Sequence, residues 1–222
     1  MNNLPPKPTL RKAAKTAVRS YMVKRVERKD IKDFIESNHY SKSINGCISD
    51  YCFALYDGNT MIGAMFYGRM AMRNQWKRFA DKEADVIELR RLCCIDDTPK
   101  NTESFFIGKT LRWLKKNTDI KIVVSYADKE YGHNGTIYKA SNFECLGLKA
   151  GAKVIWHDGK KYHDKTVRTK YKGKLKPFAA KLKQALDDGV ACYVTTAGKY
   201  CFTYTLRKSN ENLHAADAWR NE

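Results

Sequence analysis

The chain is short of acid. Against 42 Lys and Arg it sets only 24 Asp and Glu, a formal net charge of +18 at pH 7 with an isoelectric point near 9.6. That imbalance argues against cationic substrates and for an anionic partner, nucleic acid being the usual one. No apolar run approaches the roughly 18 residues a membrane-spanning helix requires. The opening stretch MNNLPPKPTLRKAAKTAVRS is basic but lacks the apolar centre of a secretory signal. A transit peptide is the weaker reading of it, and a soluble cytoplasmic protein is expected. Cys-x-x-Cys pairs are missing too: the seven cysteines are odd in number, Cys93 adjoins Cys94, and the spacings do not suit zinc. Reduced thiols packed as small hydrophobes are expected instead. There is no internal repeat or low-complexity tract, which excludes solenoid architectures.

What is present suffices for a substantial core. Apolar residues make up 43% of the chain, with thirteen Tyr, nine Phe and four Trp, and 222 residues fit one large domain or one domain with a modest appendage. The positive charge is unevenly placed. Residues 7–30 hold nine Lys or Arg against Glu27 and Asp30, and residues 153–183 hold eleven against Asp158 and Asp164. Trp156, Tyr162, Tyr171 and Phe178 lie among the cations of the second stretch, a mixture suited to phosphate contacts and base stacking. A solvated basic surface is the plainer alternative. A membrane-surface patch fits less well, because no amphipathic helical period runs through the segment.

Hydrophobic spacing divides the chain into elements. YMVKRVE reads as a strand and RKDIKDFIESNH as a helix with Ile31, Phe34 and Ile35 on one face. Two apolar runs in YCFALYDGNTMIGAMFYGRM join at Asp57-Gly58, a hairpin signal. DVIELRRLCCID predicts a strand, and TESFFIGKTLRWLKKN an amphipathic helix capped by Thr102 or Ser104. A strand over 120–127, a helix over 135–142, and strands at FECLG and AKVIWH follow. KPFAAKLKQALDDG predicts a helix and VACYVTTAGKYCFTYTL a closing hairpin. The expected organisation is a flexible basic arm over 1–20, one domain over 21–208 that includes the basic part 153–208, and a tail over 209–222.

Asp128, Lys129, Glu130, Tyr131, His133 and Asn134 crowd the C-terminal end of an apolar strand, the edge where open α/β sheets bind ligands. Taken alone, each residue keeps a structural reading. His39 reads as a helix-end residue, Asp128 as a turn or cap, and Tyr138 as packing over the sheet. Tyr56 and Tyr67 read either as a base pocket or as core. Arg90 and Arg91, by strand alternation, point to opposite faces.

The strand, helix, hairpin, strand, helix, strand order resembles the GNAT acyltransferase superfamily. The likeness rests on ELRRLCCID with SFFIGKTLRWL, and on YADKEYGHNGTIYKASNFECLG, where Asn142-Phe143 stands for the usual Gly-Phe. With ESNHYSKSI at 36–44 these stretches also resemble the Mom family of phage DNA-modification proteins, over most of the chain up to about residue 208. The resemblance implies an α/β (α+β) fold with a mixed, mostly antiparallel central sheet flanked by helices. It implies a transferase that places a carbamoylmethyl group on the exocyclic amine of adenine in phage DNA, within the host bacterial cytoplasm, so that host restriction enzymes are blocked. Expected partners are double-stranded DNA with the adenine extruded; the oligomeric state is left open, a homodimer being one option. His39, Tyr40, Asp128 and Tyr138 are the implied catalytic residues, with Tyr138 where many superfamily members protonate a leaving thiolate. Arg91, Thr102, Ser104 and Lys109 are the implied cofactor-binding residues, for acetyl-CoA. The superfamily's glycine-rich phosphate loop is replaced by DTPKNTESFFIGK, whose one glycine, Gly108, comes late. Hydroxyls and helix N-terminal amides must then do its work.

A carbamoylmethyl group joins nitrogen to a methylene carbon, which plain thioester aminolysis does not produce. Either an acetyl methyl carbon is activated or the donor already carries a glycinamide-like skeleton. His39, Asp128 and His133 have the composition of a two-His, one-carboxylate iron site, so iron is an expected option. A non-catalytic DNA-binding protein on the same scaffold and a conventional amine acetyltransferase are the alternatives.

Overall fold

Two apolar runs that meet at Asp57-Gly58 do form the predicted hairpin. In the computed structural model, which describes Val18 and residues 20–207, β2 (Tyr51–Asp57) and β3 (Thr60–Gly68) pair through Asp57↔Thr60 around a two-residue turn with Gly58 at φ 56. β1 (Met22–Val26) adds to β2, and β4 (Val86–Cys94) to β3, all antiparallel. β5 (Ile122–Asp128) then joins β4 in parallel, and β10 (Lys199–Thr205) and β6 (Glu144–Lys149) complete a seven-stranded sheet in the order β1-β2-β3-β4-β5-β10-β6. The expected mixed, mostly antiparallel sheet is thus present. The arm over 1–20, apart from Val18 and Ser20, and the tail over 209–222 lie outside the described residues.

Alternation along the central strands sends side chains to both faces, and each face is covered. α1 (Arg28–Asn38) buries Ile31 and Ile35 against Cys52, Ala54, Ala64 and Phe66, and Ile44 joins them. α2 (Thr102–Asn117) buries Phe106, Ile107, Leu111 and Leu114. Trp113, on the same helix, stacks edge-on to Phe53 at 5.3 Å. Each fully buried side chain of this size contributes roughly 1.5–3 kcal/mol. The expected caps of α2 are corrected: Asn101, at φ 75, holds the N-cap position. The Thr102 hydroxyl donates instead to Pro99 O at 2.7 Å, and that of Ser104 to Asn101 O at 3.1 Å. The helix expected over 135–142 contracts to α3 (Thr136–Ala140), because Asn142 turns the chain at φ 62. Gly135 precedes α3 at φ +77, where a Cβ would lie 2.1 Å from the Phe202 ring, so only glycine fits.

The chain divides into two compact units. The first comprises residues up to Tyr126, Gly135–Leu146 and residues from Cys201; the second comprises Ala127–Asn134 and Gly147–Tyr200. In the second unit β8 (Lys160–His163), β7 (Lys153–His157) and β9 (Cys192–Thr195) form a three-stranded antiparallel sheet in that order. Ile155 packs with Val167, Ala191 and Leu182 of α4 (Pro177–Asp187). The predicted closing hairpin does not form: β9 pairs with β7, and β10 belongs to the seven-stranded sheet. Between them Gly198, at φ +83, passes so close to Lys149 O that a Cβ would sit 2.3 Å from it. The segment's two ends are stitched together. Thr196 N donates to Ala152 O at 3.0 Å, and Ala152 N to Thr196 Oγ1 at 2.9 Å. Among the described residues no helix is long and apolar enough to cross a membrane.

Candidate active site

Pairing between β4 and β5 stops early. The parallel ladder runs from Val86↔Ile122 to Leu89↔Ser125, after which β4 continues to Cys94 and β5 to Asp128 unpaired with each other. Two parallel strands that part in this way expose backbone edges and leave a slot at their C-terminal ends. On the other side of β4 the register shifts: Phe66 pairs with Arg91 and Tyr67 with Leu89, leaving Arg90 as a bulge. The bulge breaks simple alternation of Arg90 and Arg91. Arg91 shares the α1 face with Phe66 and Cys93, donates to Arg90 O at 2.8 Å and keeps its Nε buried without a hydrogen-bond partner. Arg90 donates to Arg69 O and reaches the Glu88 carboxylate at 3.6 Å, both side chains being nearly nine-tenths buried.

Tyr138, from α3, sits where the strands part. Its hydroxyl hydrogen-bonds the Ser125 side chain, which donates in turn to Leu89 O at 3.1 Å, and its ring packs between Phe143 and Phe202. Burial, and secondarily the Glu88 charge, push the Tyr138 phenol above its ordinary 10.0 despite the opposing Ser125 bond. It therefore holds its proton at neutral pH and can donate it. Tyr126 is raised in the same direction, by burial first and with Glu88 contributing, and accepts from Gln75 Nε2 at 2.8 Å. Tyr67 is core: fully buried, with its hydroxyl 2.7 Å from Thr110 Oγ1.

Beside this slot lies a cleft of about 420 Å³, lined by Cys94–Asp96, Thr98–Asn101, Glu103 and Ser104 on one side and by Thr136, Ile137 and Ala140 of α3 on the other. Of the four expected cofactor residues only Ser104 lines it. Thr102 is fully buried, Lys109 lies over the Phe105 ring at 5.4 Å, and Arg91 faces α1.

The loop after α1 carries His39, Tyr40 and Ser41. Arg28 ties it down, donating to Ile44 O at 2.7 Å and Ser49 Oγ at 3.2 Å. His39 is buried, its ring centroid 4.2 Å from that of Tyr40, and its Nδ1 accepts the Ser41 backbone N–H at 3.1 Å. The same Nδ1 lies 2.9 Å from Ser41 Oγ.

In the second unit Asp128 caps the turn 129–131, accepting from Glu130 N at 3.1 Å, and pairs with Lys199 Nζ at 2.9 Å. His133 N donates to Asp128 O at 3.2 Å. The expected iron set of His39, Asp128 and His133 is not formed: among the described residues no three His, Cys, Asp or Glu side chains gather to hold a metal ion. The Asp128 carboxylate is paired with Lys199 instead.

Glu88, Ser125 and Gln75 escaped sequence reasoning. The signal available was polarity at inward positions of apolar strands, Glu88 and Arg90 in ELRR and Ser125 in VVSYA. Comparison with known proteins places the fold and the family. One solved structure, yncA of Salmonella typhimurium with its cofactor acetyl-CoA, superposes with a TM-score of 0.51 at 6% identity, covering 86% of this chain and 97% of that one. Another, an acetyltransferase of the GNAT family from Streptococcus pneumoniae, gives 0.47 at 8% identity, covering 83% and 98%. In sequence, the methylcarbamoylase mom of Escherichia phage Mu is 29% identical over 144 residues, 63% of this chain and 58% of that protein, so the match spans less than two thirds of the relative's length. The model of the Mom protein family matches residues 20–218, and the chain belongs to that family.

Proposed function

We propose that the chain is a DNA-modifying transferase that places a carbamoylmethyl group on the exocyclic amine of adenine, shielding phage DNA from host restriction. Family membership, the relative's methylcarbamoylase activity and the net charge of +18 support the reading. The observation that carries it is the parting of β4 and β5 beyond Leu89 and Ser125, with the Tyr138 hydroxyl at the fork and the cleft at the start of α2 beside it.

The cleft fits an acyl-CoA. Lys100, Ser104 and the first amides of α2 would hold its phosphates, since a 16-residue helix concentrates partial positive charge at that end. Asp96 and Glu103 in the same lining moderate the attraction. The parted strand edges would take the pantetheine arm. When bound, the group supplies an activated two-carbon unit. Because the product joins the adenine nitrogen to a methylene carbon and ends in an amide, an acetyl unit alone does not supply it. Either the donor already carries a glycinamide-like skeleton, or a further co-reactant supplies the amide nitrogen and the methyl carbon is separately activated.

The chain's own residues have separable duties. Tyr138 donates its proton to charge developing on the donor side. Glu88, beside Arg90 at 3.6 Å, is assigned to accept the proton the amine sheds. The adenine amine lies inside paired DNA, so the base is swung out to be reached. Nucleoside mass spectrometry of DNA from expressing cells tests the reading. The intact protein is expected to yield carbamoylmethyl-adenine, and Tyr138→Phe and Glu88→Gln to yield little or none while keeping native circular dichroism. Unmodified adenine with the intact protein rejects the reading in favour of a non-catalytic DNA-binding protein. Full modification by both variants rejects the site.

A further inference from the structure

One short turn in the second unit concentrates cations that nothing nearby neutralises. Elsewhere in that unit several basic side chains are engaged: Lys161 with Glu130, Arg168 with Asp164, Lys183 with Asp187 and Lys199 with Asp128. Lys153 lies over the Tyr193 ring at 4.1 Å. Lys170, Lys172, Lys174 and Lys176 differ. All four are exposed, and among the described residues none has a carboxylate partner; the one contact is Lys172 over the Tyr171 ring at 5.7 Å. Among the described residues Lys129, Lys160, Lys165 and Lys181 have no carboxylate partner either, but they stand on separate elements.

The backbone holding these lysines is fixed. Tyr171 N donates to Lys174 O at 2.8 Å and Lys174 N to Tyr171 O at 3.1 Å, while Lys172 and Gly173 take φ 49 and 78. Two central residues at positive φ between reciprocal hydrogen bonds define the tight mirror-image turn of β-hairpins. At its base Tyr171 stands 66% exposed, an aromatic ring carried on an ordered turn with little to cover it. An exposed ring flanked by unspent cations at two-residue steps matches what nucleic-acid grooves require: charge for phosphates and a flat face for sugars or bases. An anionic membrane fits worse, because insertion needs several large apolar groups on one face. Here the other apolar residue of the turn, Leu175, is half-buried.

We infer that the Lys170–Lys176 turn is a prong that anchors duplex DNA, its four lysines on phosphates and the Tyr171 ring against the groove wall. The inference rests on the DNA-directed function proposed above and names the element that grips the substrate.

The test uses the full chain and a fluorescently labelled duplex, with anisotropy followed against salt. A variant with Lys170, Lys172, Lys174 and Lys176 changed to Gln is compared with an equal-charge control in which Lys32, Lys82, Lys115 and Lys116 are changed to Gln. The prong variant is expected to lose at least tenfold in affinity, with a log K against log salt slope shallower by about 3.6. The control should stay within about threefold. Tyr171→Ala is expected to weaken binding about tenfold at unchanged slope, and Tyr171→Phe to bind as the native chain does. Equal losses in prong and control variants, or stronger binding to phosphatidylglycerol vesicles than to duplex, overturn the inference. Nucleoside mass spectrometry of the same proteins separates the two levels. Modified adenine from a prong variant that binds normally sinks the prong alone, whereas unmodified adenine from the native chain sinks the enzymatic reading.

Discussion

Tyr138 and Cys93 show how burial sets proton affinity at single residues. Both are raised chiefly by desolvation, which disfavours the charged form, and Cys93 is pushed up to about 12. Cys93 should therefore resist iodoacetamide at pH 8, while the exposed Cys145 and Cys192 react; peptide mass spectrometry of briefly alkylated protein checks this. The buried phenols of Tyr67, Tyr126 and Tyr138 are all raised above their ordinary 10.0. A group whose folded pKa is raised contributes stability fully present below the unfolded pKa and lost as pH rises towards the folded one. Unfolding is expected to set in above about pH 10, with phenolate absorbance and far-UV circular dichroism changing together. Phenolate formation well before any loss of secondary structure would contradict the burial of these rings.

At the scale of elements, the α2 cleft is the feature most open to direct challenge. Ala140 lines it yet is exposed, so Ala140→Trp fills the space without entering the core. The native chain should gain thermal stability from coenzyme A, about 2.7 kcal/mol at a hundredfold excess over its dissociation constant. The variant should melt within about 1 kcal/mol of the native chain and gain nothing from the ligand. Equal shifts in both would place the cofactor elsewhere. Most elements were legible because their apolar periods are clean, from Ile31 and Ile35 on α1 to the alternating runs around Asp57-Gly58. The same dipeptide at Asp158-Gly159 went unread, although both residues take positive φ and join β7 to β8. Its second run, KKYH, is too short and polar to signal a strand. The closing hairpin was misread because neighbours in sequence were taken as partners in space. Of the cleft wall, Ser104 was legible from its helix position. Glu88 was not, since a carboxylate next to two arginines in ELRR reads as a surface ion pair until the fold buries it.

Across the whole molecule, one continuous stretch, Gly147–Tyr200, supplies most of the second unit and falls between β6 and β10 of the seven-stranded sheet. Replacing residues 152–196 by a short Gly-Ser linker is expected to leave a soluble protein with cooperative unfolding and native near-UV circular dichroism, and to remove most duplex affinity. A non-cooperative melt would show that the first unit depends on the second. The Ala152–Thr196 stitch gives this arrangement an evolutionary meaning. The ends of the 152–196 segment lie side by side, so one recombination event can replace that segment whole while Ala127–Asn134 stays in place. Such an exchange would alter the exposed surface of that segment and leave the order of the seven strands as it is.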